Sequence, residues 1–186
     1  SKTILETSGI SLKTLLMKYF ALIFLLCLSL FASQANTPSS DEVKVISYNI
    51  RFANKKDGDN VWQNRAKASP AMIKDYAPDV FGVQEALDFQ LTLVSEMARN
   101  YKNVGVGRED GKHDGEHMAI FWNKKTVSML KWGTFWLSET PDQPSLSFDE
   151  KYYRSATWGI FKINKSRKHF LYINTQEFVD DKFLTG

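Results

Sequence analysis

The chain has 186 residues, 43% of them hydrophobic and 13% aromatic, enough apolar material for one domain with its own core, and this excludes a natively disordered polypeptide. A formal charge of +3 permits a phosphate-bearing partner without requiring one. The basic residues fall in short runs, Lys55-Lys56, Lys124-Lys125 and Lys165 to Lys168. That is the pattern of solvated turns, whereas a duplex nucleic-acid binder carries a denser basic stripe.

Met17-Lys18 precedes an apolar run over residues 19–32 and then Ser33-Gln34-Ala35, with small residues at the two positions a signal peptidase reads. Residues 17–35 therefore read as a secretory signal peptide, and a secreted or periplasmic location is expected. The run falls short of the about 20 apolar residues a bilayer span needs, so no stable membrane anchor is expected. The one cysteine, Cys27, lies in this run, is not preceded by the small residues of a lipid-modified cysteine, and leaves the following domain without a disulfide. Residues 1–16 contain no Met and read as an upstream extension; residues 36–42 read as a linker and residues 43–186 as the domain.

The domain opens on a β-rich run over residues 43–50. After the turn cluster Asp57-Gly58-Asp59-Asn60, apolar residues at helical spacing predict a helix over 62–76, ending before Pro78. A short apolar strand over 79–85 and an amphipathic helix over 87–98, with Leu87, Leu91, Val94 and Ala98 on one face, complete a strand-helix-strand-helix start. Strands are then expected near 103–107, 117–122, 127–137, 156–163 and 170–174, separated by polar turns. The aromatic residues Trp132, Phe135, Trp136, Tyr152, Tyr153 and Trp158 fit strands that pack large side chains. The fold class is α/β, a mixed sheet with helices on one face.

Two of these strands end in polar residues, Asn49 and the pair Gln84-Glu85, and ligands commonly bind at the carboxyl ends of strands in such sheets. A carboxylate oxygen of Glu85 is a hard ligand suited to Mg²⁺, and Asn49 offers a neutral amide that can hold a phosphate oxygen. Taken alone, a strand-end glutamate is more often a solvated carboxylate.

Ser47-Tyr48-Asn49-Ile50-Arg51, then Pro78-Asp79-Val80, Gly82-Val83-Gln84-Glu85, Gly115-Glu116-His117 and the run from Gly133 to Pro141 occur in one order. In order and spacing they resemble the secreted bacterial branch of the endonuclease/exonuclease/phosphatase family over about residues 43–175. The resemblance implies a four-layer β-sandwich of two sheets flanked by helices. It also implies hydrolysis of a phosphodiester or phosphomonoester with Mg²⁺ or Mn²⁺. Asn49 matches the family's site asparagine, and Glu85 the carboxylate that ligates the catalytic metal. Glu116 matches a catalytic carboxylate that orients a histidine in the deoxyribonuclease-like members; as a residue of a polar loop it equally reads as a turn carboxylate. Arg154 matches an arginine that holds the substrate phosphate, with a surface arginine as the competing reading. His113 and His117 receive no catalytic role.

The chain also departs from the family. Asn174-Thr175 is followed by Gln176 where the family has a histidine, and an amide cannot transfer a proton near neutral pH. The later Gly-Asp-x-Asn and Ser-Asp-His segments are absent from this sequence. The second sheet is accordingly expected to be largely missing, leaving an uncovered apolar sheet face open to association. The phosphate-ester substrate is of unknown identity, and the chain is expected to be incomplete and inactive as an enzyme. A non-catalytic binding module that grips phosphorylated or sugar ligands through its aromatics is the alternative. Export by a bacterial host is expected to yield a chain whose first residue is Asn36. Amino-terminal sequencing that finds Met17 on the exported protein would refute the leader assignment.

Overall fold

The computed structural model describes residues 41–146 and 151–176, all within one structural unit. The upstream extension, the leader, most of the linker and the tail 177–186 lie outside the described residues. The elements run β1 (Val45–Asn49), a 3-10 turn (Gly58–Asn60), α1 (Trp62–Arg65), α2 (Ala68–Tyr76), β2 (Val80–Ala86) and α3 (Asp88–Met97). Then come β3 (Tyr101–Val104), β4 (His117–Asn123), β5 (Val127–Trp136), β6 (Ser155–Ile163) and β7 (His169–Thr175). The helix expected over 62–76 is two helices. A ring at Pro70 would strike the carbonyl of Ala66 in a continuous helix. As the third residue of α2, Pro70 lacks only an N–H that has no helical partner in any first turn. The basic pairs expected in turns do lie there, at Lys55-Lys56 and Lys124-Lys125.

The first sheet has the order β1-β2-β4-β3, with β1 parallel to β2 and the other pairs antiparallel; the second is the antiparallel β5-β6-β7. β2 and β4 are buried along nearly their whole length because both faces are covered. On one face lie the helices, around Phe81 stacked on Phe121 (ring centroids 4.7 Å apart) with Ile50, Trp62, Ile73 and Val94. On the other lies the second sheet, where Val80, Ile120 and Trp122 meet Val127 and Phe161. Trp122 contacts Phe161 edge to face at 6.0 Å.

The expected α/β plan of two sheets and flanking helices is thus present. Its inner face differs from the expected bare one, because β5, β6 and β7 already cover β2 and β4. What stays open there is β1, where Val45 is 46% exposed. A further apolar surface lies on the outer side of the second sheet. There Trp158 and Ile160 of β6 pair with Ile173 and Leu171 of β7, and the last two are at least half exposed. No helix among the described residues is long and apolar enough to cross a membrane.

The two sheets are joined through Asn174 at the end of β7. Its buried side chain donates to the carbonyls of Val83 and Ala119, both at 2.9 Å, and accepts from Gln84 Nε2 at 2.5 Å. The β2–β4 ladder is irregular between Val83 and Ala86, and the asparagine amide satisfies backbone oxygens beside that irregularity. Gly82 gives the close approach its room: a Cβ there would stand 2.5 Å from Asn174 Oδ1 and 2.6 Å from the Tyr172 hydroxyl. Asn174→Ala removes the amide donor from the buried Val83 and Ala119 carbonyls and is expected to lower the unfolding free energy by about 2–3 kcal/mol. Urea denaturation followed by tryptophan fluorescence measures it; a change within about 0.5 kcal/mol, the usual range for surface substitutions, would show that the sheets are joined elsewhere.

Candidate active site

β1 and β2 run in the same direction with Asn49 opposite Gln84, so their carboxyl ends lie side by side. Glu85 then takes a left-handed backbone conformation (φ 61°) within the strand irregularity. For a residue with a Cβ this conformation costs about 1–2 kcal/mol and persists only where the surroundings enforce it. Glu85 Oε1 accepts hydrogen bonds from Asn49 Nδ2 at 2.8 Å and Gln176 Nε2 at 2.9 Å, and Oε2 accepts from the Phe52 N–H at 3.3 Å. Three separate segments therefore converge on one carboxylate: the end of β1 with its loop, the end of β2, and the residue after β7.

The loop after β1 is held from beneath. The Arg65 guanidinium on α1 donates to the carbonyls of Ile50, Arg51 and Phe52. Gln90, fully buried on α3, accepts from the Ala53 N–H at 3.1 Å and donates to the Arg51 carbonyl at 3.1 Å. These two side chains fix the Phe52 N–H at Glu85. Burial pushes the Glu85 carboxyl up, but hydrogen bonds from Asn49, Gln176 and Phe52, with the charge of Arg51, outweigh it and hold the group below the ordinary glutamate range. Glu85 is a carboxylate at neutral pH.

Glu116 lies near enough for the Glu85 charge to act on it. Its Oε2 is 2.9 Å from Arg108 Nη1, and both side chains are largely buried. Burial pushes the Glu116 carboxyl up; Arg108 and Arg154 pull it down without cancelling that effect, and Glu85 adds to the rise. Arg154 is half-buried just before β6, where its carbonyl accepts from the Leu137 N–H at 2.8 Å. Arg108 itself is anchored by its backbone: its N–H donates to the Glu116 carbonyl at 3.1 Å and its carbonyl accepts from Trp136 Nε1 at 2.7 Å. Of the histidines, His113 contacts Asp88 at 3.1 Å, and buried His117 contacts the Ala86 carbonyl at 3.2 Å. Burial pushes the His117 imidazole down, which keeps it neutral.

The structure brings Asn49 and Glu85 into direct contact and pairs Glu116 with Arg108, with Arg154 near enough for its charge to act on Glu116. Arg108, Arg65 and Gln90 are additions to the residues picked from sequence. Only Gln90 had a local signal, a glutamine at the third position of a helix reaching back to the N–H of Leu87 at 3.2 Å. A groove of about 550 Å³ between α2 and α3 shares no residue with this group. Among the described residues no three His, Cys, Asp or Glu side chains gather as a metal-ligating group. An ionised Glu85 by itself suits Mg²⁺, which keeps most of its waters and takes one or two carboxylates, better than a metal that demands several protein ligands.

No family model matches the chain, nor does any curated protein. Solved structures do. A mannosyl-6-phosphatase from Bacteroides thetaiotaomicron is 38% identical, with a TM-score of 0.71 over 76% of this chain and 54% of that one. An endonuclease/exonuclease/phosphatase from Bacteroides vulgatus is 37% identical, with a TM-score of 0.70 over 72% and 51%. A functionally unknown conserved protein from Enterococcus faecalis is 32% identical, with a TM-score of 0.66 over 70% and 51%. The chain thus spans about half the length of the solved relatives it matches.

The lowered Glu85 carboxyl carries a sign. Its stabilising hydrogen bonds are fully present above the ordinary glutamate value of 4.5 and are lost as pH falls through the lower folded-state value. A carbon-13 titration of the glutamate carboxyls is expected to place Glu85 below an unstructured glutamate, and Gln176→Ala to move it upward. A Glu85 midpoint at or above the unstructured reference would contradict the hydrogen-bond geometry.

Proposed function

Because the chain belongs to the endonuclease/exonuclease/phosphatase family, a family of phosphoesterases, we propose that its site serves metal-dependent hydrolysis of a phosphate ester outside the cytoplasm. The observation that carries this reading is the ionised Glu85 at the end of β2, gripped by Asn49 and Gln176 at 2.8 and 2.9 Å. Glu85 is the residue that would hold Mg²⁺ or Mn²⁺, and Asn49 orients it. When bound, the metal would act as a Lewis acid toward the phosphoryl oxygens. Arg154 offers the planar guanidinium that suits a phosphate, and Arg51 adds positive charge beside Glu85. Glu116, paired with Arg108, stands ready to orient a group brought next to it. The relative named as a mannosyl-6-phosphatase makes a phosphorylated sugar the first substrate class to test.

A binding-only reading rests on one specific observation. Gln176 donates an amide hydrogen to Glu85 where acid–base chemistry would need an imidazole, which leaves the carboxylate site with no group to move a proton at that position.

Calorimetry is expected to find weak, millimolar-range Mg²⁺ binding that Glu85→Ala removes; micromolar affinity surviving that substitution would place the metal elsewhere. For turnover, one general acid–base group is worth about 10² to 10⁴ in rate. Gln176→His in this chain is nevertheless expected to restore little, because residues that act as a unit are strongly non-additive. Joining the second half of a family domain at Thr175, with histidine at the junction, is expected to give turnover that Glu85→Ala abolishes. The readout is hydrolysis of a chromogenic phosphomonoester and phosphodiester with and without Mg²⁺. Glu85-dependent turnover by Gln176→His alone would mean that the chain already holds a complete site.

A further inference from the structure

One face of β5 carries Trp132, Thr134 and Trp136, the period-two spacing of side chains on the same side of a strand. Trp136 is 5% exposed and fixed through its indole N–H to the Arg108 carbonyl. Trp132 is 41% exposed, a large open aromatic surface for a strand residue. The two indoles wall a groove of about 410 Å³ whose polar lining includes Asp110, Asp142 and Gln143. That size is within the range of small-molecule sites, which pair apolar walls with a few oriented polar groups.

The groove is built rather than incidental. Gly111 lines it with φ 71°, and a Cβ there would come within 3.4 Å of the Trp136 ring and 3.5 Å of Pro144, narrowing the space. Asp110 Oδ1 accepts the N–H groups of Lys112 at 2.7 Å and Asp114 at 2.9 Å, which fixes its carboxylate at the rim. The Trp136 backbone N–H donates to the Pro141 carbonyl at 2.9 Å and ties the segment that carries Asp142 and Gln143 to β5.

We infer that this groove binds a hexopyranose ring, the sugar part of a phosphorylated substrate. This rests on the phosphoesterase reading and adds to it the part of the substrate that is not phosphate. An indole face offers a flat apolar surface for the C–H side of a sugar ring. Ionised carboxylates only accept hydrogen bonds, so their partners must be donors, as hydroxyls are, while the Gln143 amide can both donate and accept. Two carboxylates also repel a phosphate, which therefore points away from this rim. In the other direction Trp136 leads directly to Arg108, which is paired with Glu116, the carboxylate that also feels the charge of Arg154. The carboxylate acceptors on this rim thus orient the phosphate of a phosphosugar away from it.

The test is tryptophan fluorescence and calorimetry on the full chain with four probes: D-mannose, mannose 6-phosphate, inorganic phosphate and choline. Saturable mannose binding in the millimolar range is expected, with mannose 6-phosphate tighter and inorganic phosphate failing to displace mannose. Trp132→Ala is expected to weaken mannose binding by about tenfold, a difference such titrations resolve readily. Asp142→Asn, an exposed change with little bearing on folding, is expected to weaken it less, and Lys74→Ala, in the separate groove beside α2, to leave it unchanged. No saturable mannose binding, mannose binding indifferent to both groove variants, or choline bound in place of mannose would each overturn the assignment. The two readings fail separately. Mannose binding by a family-completed chain without phosphoester turnover leaves the groove standing and removes the hydrolase, whereas turnover of a chromogenic ester without sugar binding does the reverse.

Discussion

The amide of Asn174 is the constraint on which the rest of the architecture depends. It reaches from the last strand of the second sheet into the first, satisfying the carbonyls of Val83 and Ala119 and receiving Gln84. Inside a packed interior a polar side chain is admissible only when its hydrogen bonds are filled, and here that requirement runs both ways across the sandwich. The lack of a side chain at Gly82 lets the sheets approach closely enough for it. Two residues further along the same chain, Gln176 arrives at Glu85. The joining of the layers and the composition of the site are therefore one structural event.

Around Glu85 the chain departs from regular geometry in two places, Glu85 and Arg51, both with φ 61°. Neither residue adopts that conformation by preference, so neighbouring groups must hold it. Arg65 and Gln90 do so by occupying the carbonyls and N–H groups of residues 50–53, and neither touches the carboxylate itself. The result is a carboxylate surrounded by donors and kept charged. Glu116, by contrast, is raised by burial while one arginine is bound to it. Two nearby carboxyls are thus held toward different protonation tendencies by their surroundings.

Much of this was legible in the sequence. The β-rich run over residues 43–50, the apolar run ending in Gln84-Glu85 and the spacing of Leu87, Leu91 and Val94 each carry a local signal that the observed elements follow to within a few residues. What escaped depends on effects that hydrophobic spacing does not carry, most of them contacts between distant segments. The break in the helix over 62–76 follows from Pro70 acting one turn upstream, which periodicity does not register. The left-handed turn at Glu85 has no signature in its own residue type. Arg108 is one arginine in a polar loop until the fold places Glu116 against it. The inner face is covered because β5, β6 and β7 pair into one sheet that packs on β2 and β4 as a unit, a contact between segments that no local pattern registers.

Gln84 and Asn174 are 90 positions apart, and Glu85 and Gln176 are 91 apart. Contacts of such sequence separation form late, because the entropy of closing a long loop must be met before they stabilise anything. Every strand and helix of the first sheet lies within residues 45–123, but the Glu85 carboxylate cannot acquire its full set of donors until β7 has docked. A chain emerging from its amino terminus thus presents every strand of the first sheet before the residue that completes the donors to Glu85. The order of events in time is written in the same residues that set the geometry.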